Sequence, residues 1–150
     1  MQVLVTGAAG FIGKHSAKRL LDLGDVVAGA DNLNNHCYDI QPKHKRLSEL
    51  EPYPRCRFER LDITNQDSTA TLFAHEKFGR VDYLAAPAGV RYSLKNRHAY
   101  VESNLVGFVR ILGECRQNCA DHPVSLYAAT KKAKELMAHT HSRNCCDAAA

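Results

Sequence analysis

The sequence lacks several features that would mark particular classes of protein. It has no run of about 18 apolar residues, so we expect no membrane-spanning helix. Met1 is followed at once by an apolar segment, without a basic leader or a small-residue cleavage site, and we therefore expect a cytoplasmic protein with no secretory signal. There is also no dense block of lysine and arginine. The net charge of +4 thus suits small anionic ligands and does not indicate nucleic acid.

The six cysteines lack the spacing of a disulfide framework. Without a secretory signal, we interpret them as reduced thiols. A zinc site is conceivable because Cys115 and Cys119 share one helical face, with His122, His139 and Cys145 further along. No compact CxxC pair supports such a site, so we predict no metal.

Segments of strand type and helix type alternate along the chain, with neither an internal repeat nor a linker. This alternation is typical of an α/β domain in which helices cover a parallel sheet. We predict a sheet of about four strands in the order 3-2-1-4 within residues 1–142, and a disordered tail over 143–150. The predicted strands are 2–6, 26–30, 57–61 and 81–86, and the predicted helices are 11–23, 42–50, 65–78, 98–119 and 125–141.

A glycine-rich turn lies between the first strand and the first helix. Gly7, Gly10 and Gly13 form the pattern G-x-x-G-x-x-G, which suits a tight turn, a close approach to a pyrophosphate and close packing of helix on strand. The helix N-terminus at Phe11 and Ile12 offers free N–H groups and partial positive charge to phosphates. The pattern predicts a Rossmann-type dinucleotide site. A glycine turn without a ligand is the alternative.

An acidic residue ends the second strand. Asp31 lies 24 positions after the first glycine. An acid at about this spacing in the dinucleotide fold accepts hydrogen bonds from the adenosine ribose. We expect it to repel a 2′-phosphate and to favour NAD over NADP, with Asn32 beside the same cofactor. After the third strand, Asp62 and Ile63 are predicted to lie beside the adenine. The alternative role for Asp62 is that of a helix-capping acid.

A candidate acid–base pair lies late in the chain. Tyr127 and Lys131 are four residues apart, which puts both side chains on one helical face. A free tyrosine has a pKa near 10 and is a poor base at neutral pH. A neighbouring ammonium and a positive nicotinamide ring would both favour the phenolate.

Four segments resemble the extended short-chain dehydrogenase/reductases, in particular the NAD-dependent nucleotide-sugar epimerases and dehydratases. They are V-T-G-A-A-G-F-I-G at 5–13, D-N-L-N at 31–34, A-G-V-R-Y-S at 88–93 and H-P-V-S-L-Y-A-A-T-K at 122–131. The resemblance covers about residues 1–142 and is nearest to members that interconvert UDP-glucuronate and UDP-galacturonate.

This resemblance implies an epimerisation at C4 of a nucleotide sugar, with NAD as hydride acceptor and donor. Tyr127 would be the base, and Lys131 would hold the nicotinamide ribose. A homodimer through helices 98–119 and 125–141 is also implied. The remaining implied contacts are Ala85, Ala86 and Asn104 near the cofactor, and Arg91, Tyr92 and Ser93 near the sugar.

The chain departs from the family pattern in three places. Pro87 stands where the family has glutamine. From the short connector before Tyr127 we expect the fifth strand to be missing, and we expect no substrate domain after the last helix. We therefore expect this chain alone to be impaired or inactive. The alternatives are a non-catalytic NAD-binding module and another enzyme of this fold, a nucleotide-sugar 4,6-dehydratase or a UDP-glucose 4-epimerase.

Overall fold

A four-stranded parallel sheet organises the described part of the chain. The computed structural model describes residues 1–35, 39–87 and 96–118. The sheet order is β3-β2-β1-β4, and all three pairings are parallel, as predicted. The predicted fifth-strand gap and the predicted helix 125–141 lie outside the described residues. The strands are β1 (Gln2–Thr6), β2 (Val26–Asp31), β3 (Cys56–Arg60) and β4 (Arg80–Tyr83).

The helices connect the strands and cover both faces of the sheet. None of the helices within the described ranges is long and apolar enough to cross a membrane. They are α1 (Phe11–Asp22), α2 (Gln41–Ser48), α3 (Gln66–His75), α4 (Arg97–Val101) and α5 (Gly107–Asn118), with a π-helical turn over Glu102–Val106 between the last two.

Three predicted elements differ clearly from the observed ones. Helix α3 ends at His75 and not at residue 78, because Glu76 takes an extended conformation and Phe78 turns back to pack edge-on against Phe73. Strand β4 ends at Tyr83, short of residue 86. The long helix predicted over 98–119 is interrupted by the π-helical turn.

The core consists of two apolar layers, one on each face of the sheet. Side chains of β1 alternate between them, with Leu4 on one face and Val3 and Val5 on the other. Helices α3 and α5 add Leu72, Phe73 and Ile111 to the first layer, while α1 and the end of the α2 segment add Leu20, Leu21 and Leu50 to the second. Burial of each large apolar side chain stabilises the fold by roughly 1.5–3 kcal/mol. Because both faces are covered, the three central residues of β1, Val3 to Val5, are all apolar, as in other buried parallel strands.

Candidate dinucleotide site

The glycine-rich turn lies at the carboxyl end of β1, between the neighbouring strands. Gly7 has φ +70°, and a Cβ on it would lie 2.6 Å from the Leu84 carbonyl oxygen, just after β4. The Gly7 and Ala8 N–H groups both donate to the carbonyl oxygen of Ala30 in β2, at 2.7 and 3.2 Å. The turn is therefore held against both strands by its backbone, which leaves no room for a side chain at Gly7.

The N-terminus of α1 suits an anion. Gly10 is the N-cap, no side chain caps it, and the first turn contains no acidic residue. The first N–H groups of a helix have no partner within it and carry a partial positive charge. Phe11 and Ile12 in this turn are 68% and 66% exposed. A Cβ on Gly13 would overlap the Gly7 carbonyl oxygen, so helix and turn pack closely, as the glycine spacing predicts.

Asp31, at the end of β2, forms a buried ion pair. Its Oδ1 accepts hydrogen bonds from the Leu33 N–H at 2.8 Å and from Lys43 Nζ at 3.1 Å. The side chains of Lys43 and Asp31 are only 8% and 7% exposed. Within the described ranges, Oδ2 makes no hydrogen bond. One carboxylate oxygen thus fixes the local backbone, and the other is available to a ligand.

The backbone after Asp31 is strained. Leu33 is buried and has φ +53°, in the left-handed region that a branched side chain rarely adopts. The hydrogen bond from its N–H to Asp31 holds that conformation. Such outliers concentrate at ligand sites, where the surrounding structure over-determines them.

Asp62 follows β3 and joins two segments. Its Oδ2 accepts from Asn32 Nδ2 at 3.1 Å, and its Oδ1 accepts from the N–H and hydroxyl of Thr64 at 2.9 and 2.7 Å. The cap of α3 is Asn65, whose side chain accepts from the Ser68 N–H. The capping alternative for Asp62 is therefore wrong. Its place beside an adenine stays a prediction.

The π-helical turn lies against the end of β4. The Tyr83 hydroxyl donates to the Ser103 carbonyl oxygen at 2.5 Å, and the Tyr83 ring packs edge-on against Phe108. Gly107 gives the helix its closest approach, since a Cβ there would lie 2.6 Å from Ile63. Single π-helical turns occur often at functional sites. Here the turn brings Ser103 to the cavity described below.

A pH-dependent contribution to stability follows from Tyr83. Burial raises the pKa of its hydroxyl to about 12. In the unfolded chain this group loses its proton near pH 10, so between roughly pH 10 and pH 12 the unfolded state binds fewer protons and the free energy of unfolding falls. We expect Tyr83→Phe to flatten this decline in urea titrations and to cost about 1 kcal/mol at neutral pH, where the hydroxyl still donates to Ser103.

Tyr53→Phe is the matched control. The pKa of Tyr53 is also raised, chiefly by its hydrogen bond to Asp22, but that pair is exposed. Removing the Tyr53 hydroxyl should therefore flatten the decline in unfolding free energy less than removing the Tyr83 hydroxyl does. Equal slopes for wild type and Tyr83→Phe would show that Tyr83 titrates normally.

These elements surround one cavity of about 400 Å³ at the carboxyl ends of β1, β2 and β4. It lies where open parallel sheets bind ligands. Among the predicted cofactor residues, those that line the cavity are Gly7, Gly10, Phe11, Ile12, Asp31, Asn32, Asp62, Ile63, Ala85 and Ala86.

The other predicted site residues fall elsewhere. Gly13 is buried in the packing beneath the turn, and Asn104 is exposed while its neighbour Ser103 lines the cavity. Pro87, the departure from the family pattern, also lines the cavity. Tyr127, Lys131, Arg91, Tyr92 and Ser93 lie outside the described residues.

Sequence reasoning missed two cavity-lining cations, Lys43 and Arg46. Both belong to α2, and Arg46 Nη1 donates to the Ala9 carbonyl oxygen in the glycine-rich turn at 3.3 Å. Their three-residue spacing places them on one helical face, and this was the available signal. In the described part of the chain, no group of three or more potential metal ligands comes together.

The geometry agrees with comparisons to known proteins. A model of the NAD dependent epimerase/dehydratase family matches residues 3–134. An uncharacterised 37.6 kDa protein of Escherichia coli O111:H- is 46% identical over 168 residues, covering 95% of this chain and 50% of that protein. UDP-glucuronate 4-epimerase 2 of Arabidopsis thaliana is 38% identical over 169 residues, covering 95% of this chain and 38% of that protein.

A solved structure has the same fold. It is a variant of UDP-glucuronic acid 4-epimerase from Bacillus cereus in complex with UDP-4-deoxy-4-fluoro-glucuronic acid and NAD. The two sequences are 36% identical, and the superposition has a TM-score of 0.69. It covers 77% of this chain and 36% of the epimerase chain.

The matched proteins are longer than this chain. It spans half or less of the length of these relatives. The alignments with the two sequence relatives run over 168 and 169 residues, more than the 150 residues present here. Those relatives therefore hold residues inside the matched stretch that this chain lacks.

Proposed function

Since this chain belongs to the NAD dependent epimerase/dehydratase family, we propose that the cavity at the carboxyl ends of β1, β2 and β4 binds NAD. The observation that carries this proposal is the backbone cradle at Gly7, beside an uncapped helix N-terminus. Packing excludes a side chain at Gly7, and the helix start offers N–H groups to a pyrophosphate. The residues present fit the cofactor.

The individual contacts follow from the chemistry of the lining groups. The first turn of α1 holds the pyrophosphate, with Phe11 and Ile12 supplying N–H groups. Asp31 Oδ2 accepts from the adenosine ribose, because Oδ1 is already engaged with Leu33 and Lys43. Ile63 and Asp62 border the adenine, and Ala85 and Ala86, small residues after β4, let the cofactor lie close to the sheet.

The reaction that we propose for the family fold in this chain is epimerisation at C4 of a nucleotide sugar of the UDP-glucuronate type. When bound, NAD supplies a hydride acceptor and donor. Tyr127 takes the proton of the sugar C4 hydroxyl and later returns it. Lys131 binds a ribose hydroxyl and, through its charge, lowers the pKa of Tyr127. Arg91 pairs with the uronate carboxylate, while Tyr92 and Ser93 contact the sugar.

This chain by itself should turn over little sugar. It lacks residues that the two sequence relatives hold inside the matched stretch. Hydride transfer depends on holding the sugar in a reactive geometry, which uses binding energy from the rest of the substrate site. The same shortening favours a second candidate function, a non-catalytic NAD-binding module. A dehydratase or another epimerase of the family is the enzymatic alternative.

A homodimer is part of the proposal. Val101, Val106 and Phe108 are exposed apolar side chains on the helical stretch 97–118. A second copy of the chain would bury them.

NAD titration followed by thermal unfolding tests the proposed function. A ligand that binds only the folded state stabilises it by mass action, by about 2.7 kcal/mol at one hundred times its Kd. We expect the unfolding midpoint to rise with NAD concentration, and the purified chain to convert UDP-glucuronate to UDP-galacturonate slowly or not at all.

The two readouts separate the candidates. An unfolding midpoint that does not move at millimolar NAD would contradict the cofactor site. Rapid interconversion of the two UDP-uronates would contradict the non-catalytic candidate and the expected impairment. Nicotinamide mononucleotide, which lacks the adenosine end, should raise the midpoint less than NAD does at the same concentration.

A further inference from the structure

The adenosine end of the cavity is charge-balanced, although an acid ends β2. The charged side chains that line it are Asp31 and Asp62, and Lys43 and Arg46. An acid at the end of the second strand rejects a 2′-phosphate by repulsion, whereas a nearby arginine accommodates one. This cavity contains both kinds of residue.

The negative charge of Asp31 is offset at close range. Lys43 Nζ lies 3.1 Å from Oδ1, and both side chains are more than nine-tenths buried. In a poorly solvated setting, a charge 3–4 Å away acts strongly. The positive charge of Lys43 therefore cancels most of the negative field of Asp31 that would repel a phosphate.

Arg46 adds positive charge on the same side. Its one hydrogen bond within the described ranges runs from Nη1 to the Ala9 carbonyl oxygen at 3.3 Å, which fixes the guanidinium beside the glycine-rich turn. A guanidinium has five N–H donors, so most remain available to a phosphate. Asp62 opposes it less effectively, because its side chain is exposed and solvent screens its charge.

We propose that the adenosine end of this cavity accepts a 2′-phosphate as well as a free ribose hydroxyl, with Arg46 and Lys43 as the residues that bind the phosphate. Dinucleotide selectivity is then set by α2 and not by Asp31 alone. The inference rests on the proposed NAD site and concerns its substrate range.

Calorimetric titration of the folded chain with NAD and NADP tests this. We expect the two Kd values to lie within about tenfold of each other, since the phosphate gains charge-assisted hydrogen bonds that offset the remaining repulsion. Arg46→Gln should weaken NADP binding about tenfold and leave NAD within about twofold. Lys45→Gln is the matched control, because Lys45 is on the same helix but is exposed and does not line the cavity.

Two fragments separate a 2′-phosphate site from general attraction of anions. 2′,5′-ADP should bind more tightly than 3′,5′-ADP, and Arg46→Gln should remove the difference. Lys43→Gln should also remove the difference between the two fragments. Urea unfolding shows whether the Lys43→Gln variant folds; if it does not, the result for Arg46→Gln decides the test.

The outcomes are distinguishable. If NAD binds but NADP is more than about a hundredfold weaker, or if Arg46→Gln weakens both dinucleotides equally, the inference is overturned while the proposed function stands. Equal affinity for the two fragments also overturns it. If neither dinucleotide binds, the proposed function itself fails.

Discussion

Replacing Gly7 with alanine should lower the free energy of unfolding by about 3 kcal/mol or more and weaken NAD binding by about a hundredfold. Two effects add. A φ of +70° costs an alanine roughly 1–2 kcal/mol, and a Cβ 2.6 Å from the Leu84 carbonyl oxygen forces backbone apart, at roughly 1–3 kcal/mol. A displaced turn also loses N–H contacts to phosphate, each worth roughly 1.5 kcal/mol.

Gly24→Ala isolates the conformational part of this cost. Gly24 also has a positive φ, +89°, but the nearest atom to its added Cβ is Arg55 Nη1, the end of a long side chain, at 3.4 Å, which is ordinary contact. It follows α1 and does not line the cavity. We expect a loss of roughly 1–2 kcal/mol and unchanged NAD affinity. Urea unfolding measures the change in stability, and NAD titration measures the affinity. Equal losses for the two variants would mean that packing against Leu84 contributes nothing.

The sheet and the glycine-rich turn could be predicted because local pattern determines them. Buried parallel strands such as β1 read as continuous apolar runs, and strand–helix alternation leaves few allowed topologies. The turn needs glycine for reasons of backbone geometry that act within a few residues. The order β3-β2-β1-β4 and most of the cavity-lining residues followed from these two signals, whereas Ala85 and Ala86 were implied by the family resemblance.

The helix boundaries that were wrong depend on contacts distant in sequence. Helix α3 ends early because Phe78 packs on Phe73, and the helix after residue 97 takes a π-helical turn where the Tyr83 hydroxyl binds the Ser103 carbonyl oxygen. Neither event has a local signature, since helix propensity is a weak prior that tertiary packing overrides.

The partner of Asp31 was missed for a related reason. Lys43 is one of several basic residues in a short, strongly polar helix, and such a helix predicts a solvated face. Only the folded chain shows that this lysine is buried against the end of β2 and that Arg46 reaches the glycine-rich turn. The charge balance of the cavity is a tertiary property.

Replacing Asp31 with asparagine should cost about 3 kcal/mol of unfolding free energy and weaken NAD binding roughly tenfold to a hundredfold. The substitution keeps the shape but removes the carboxylate that balances the buried Lys43 ammonium, and breaking a buried pair from one side is strongly destabilising. It also removes a charged acceptor for the ribose, worth roughly 1.5–3 kcal/mol. Asp25→Asn is the matched control: its pair with the amino group of Met1 is exposed, so at most about 1 kcal/mol is expected.

The double variant Asp31→Asn with Lys43→Gln separates the two roles of the carboxylate. Removing the ammonium as well leaves no buried charge to balance, so more than half of the lost stability should return. The affinity for NAD should stay low, because the ribose still lacks its acceptor. Urea unfolding gives the coupling energy, and NAD titration gives the affinity. If stability does not return in the double variant, the pair is not coupled; if affinity returns with stability, Asp31 acts only by supporting the fold, and the ribose contact assigned to it is wrong.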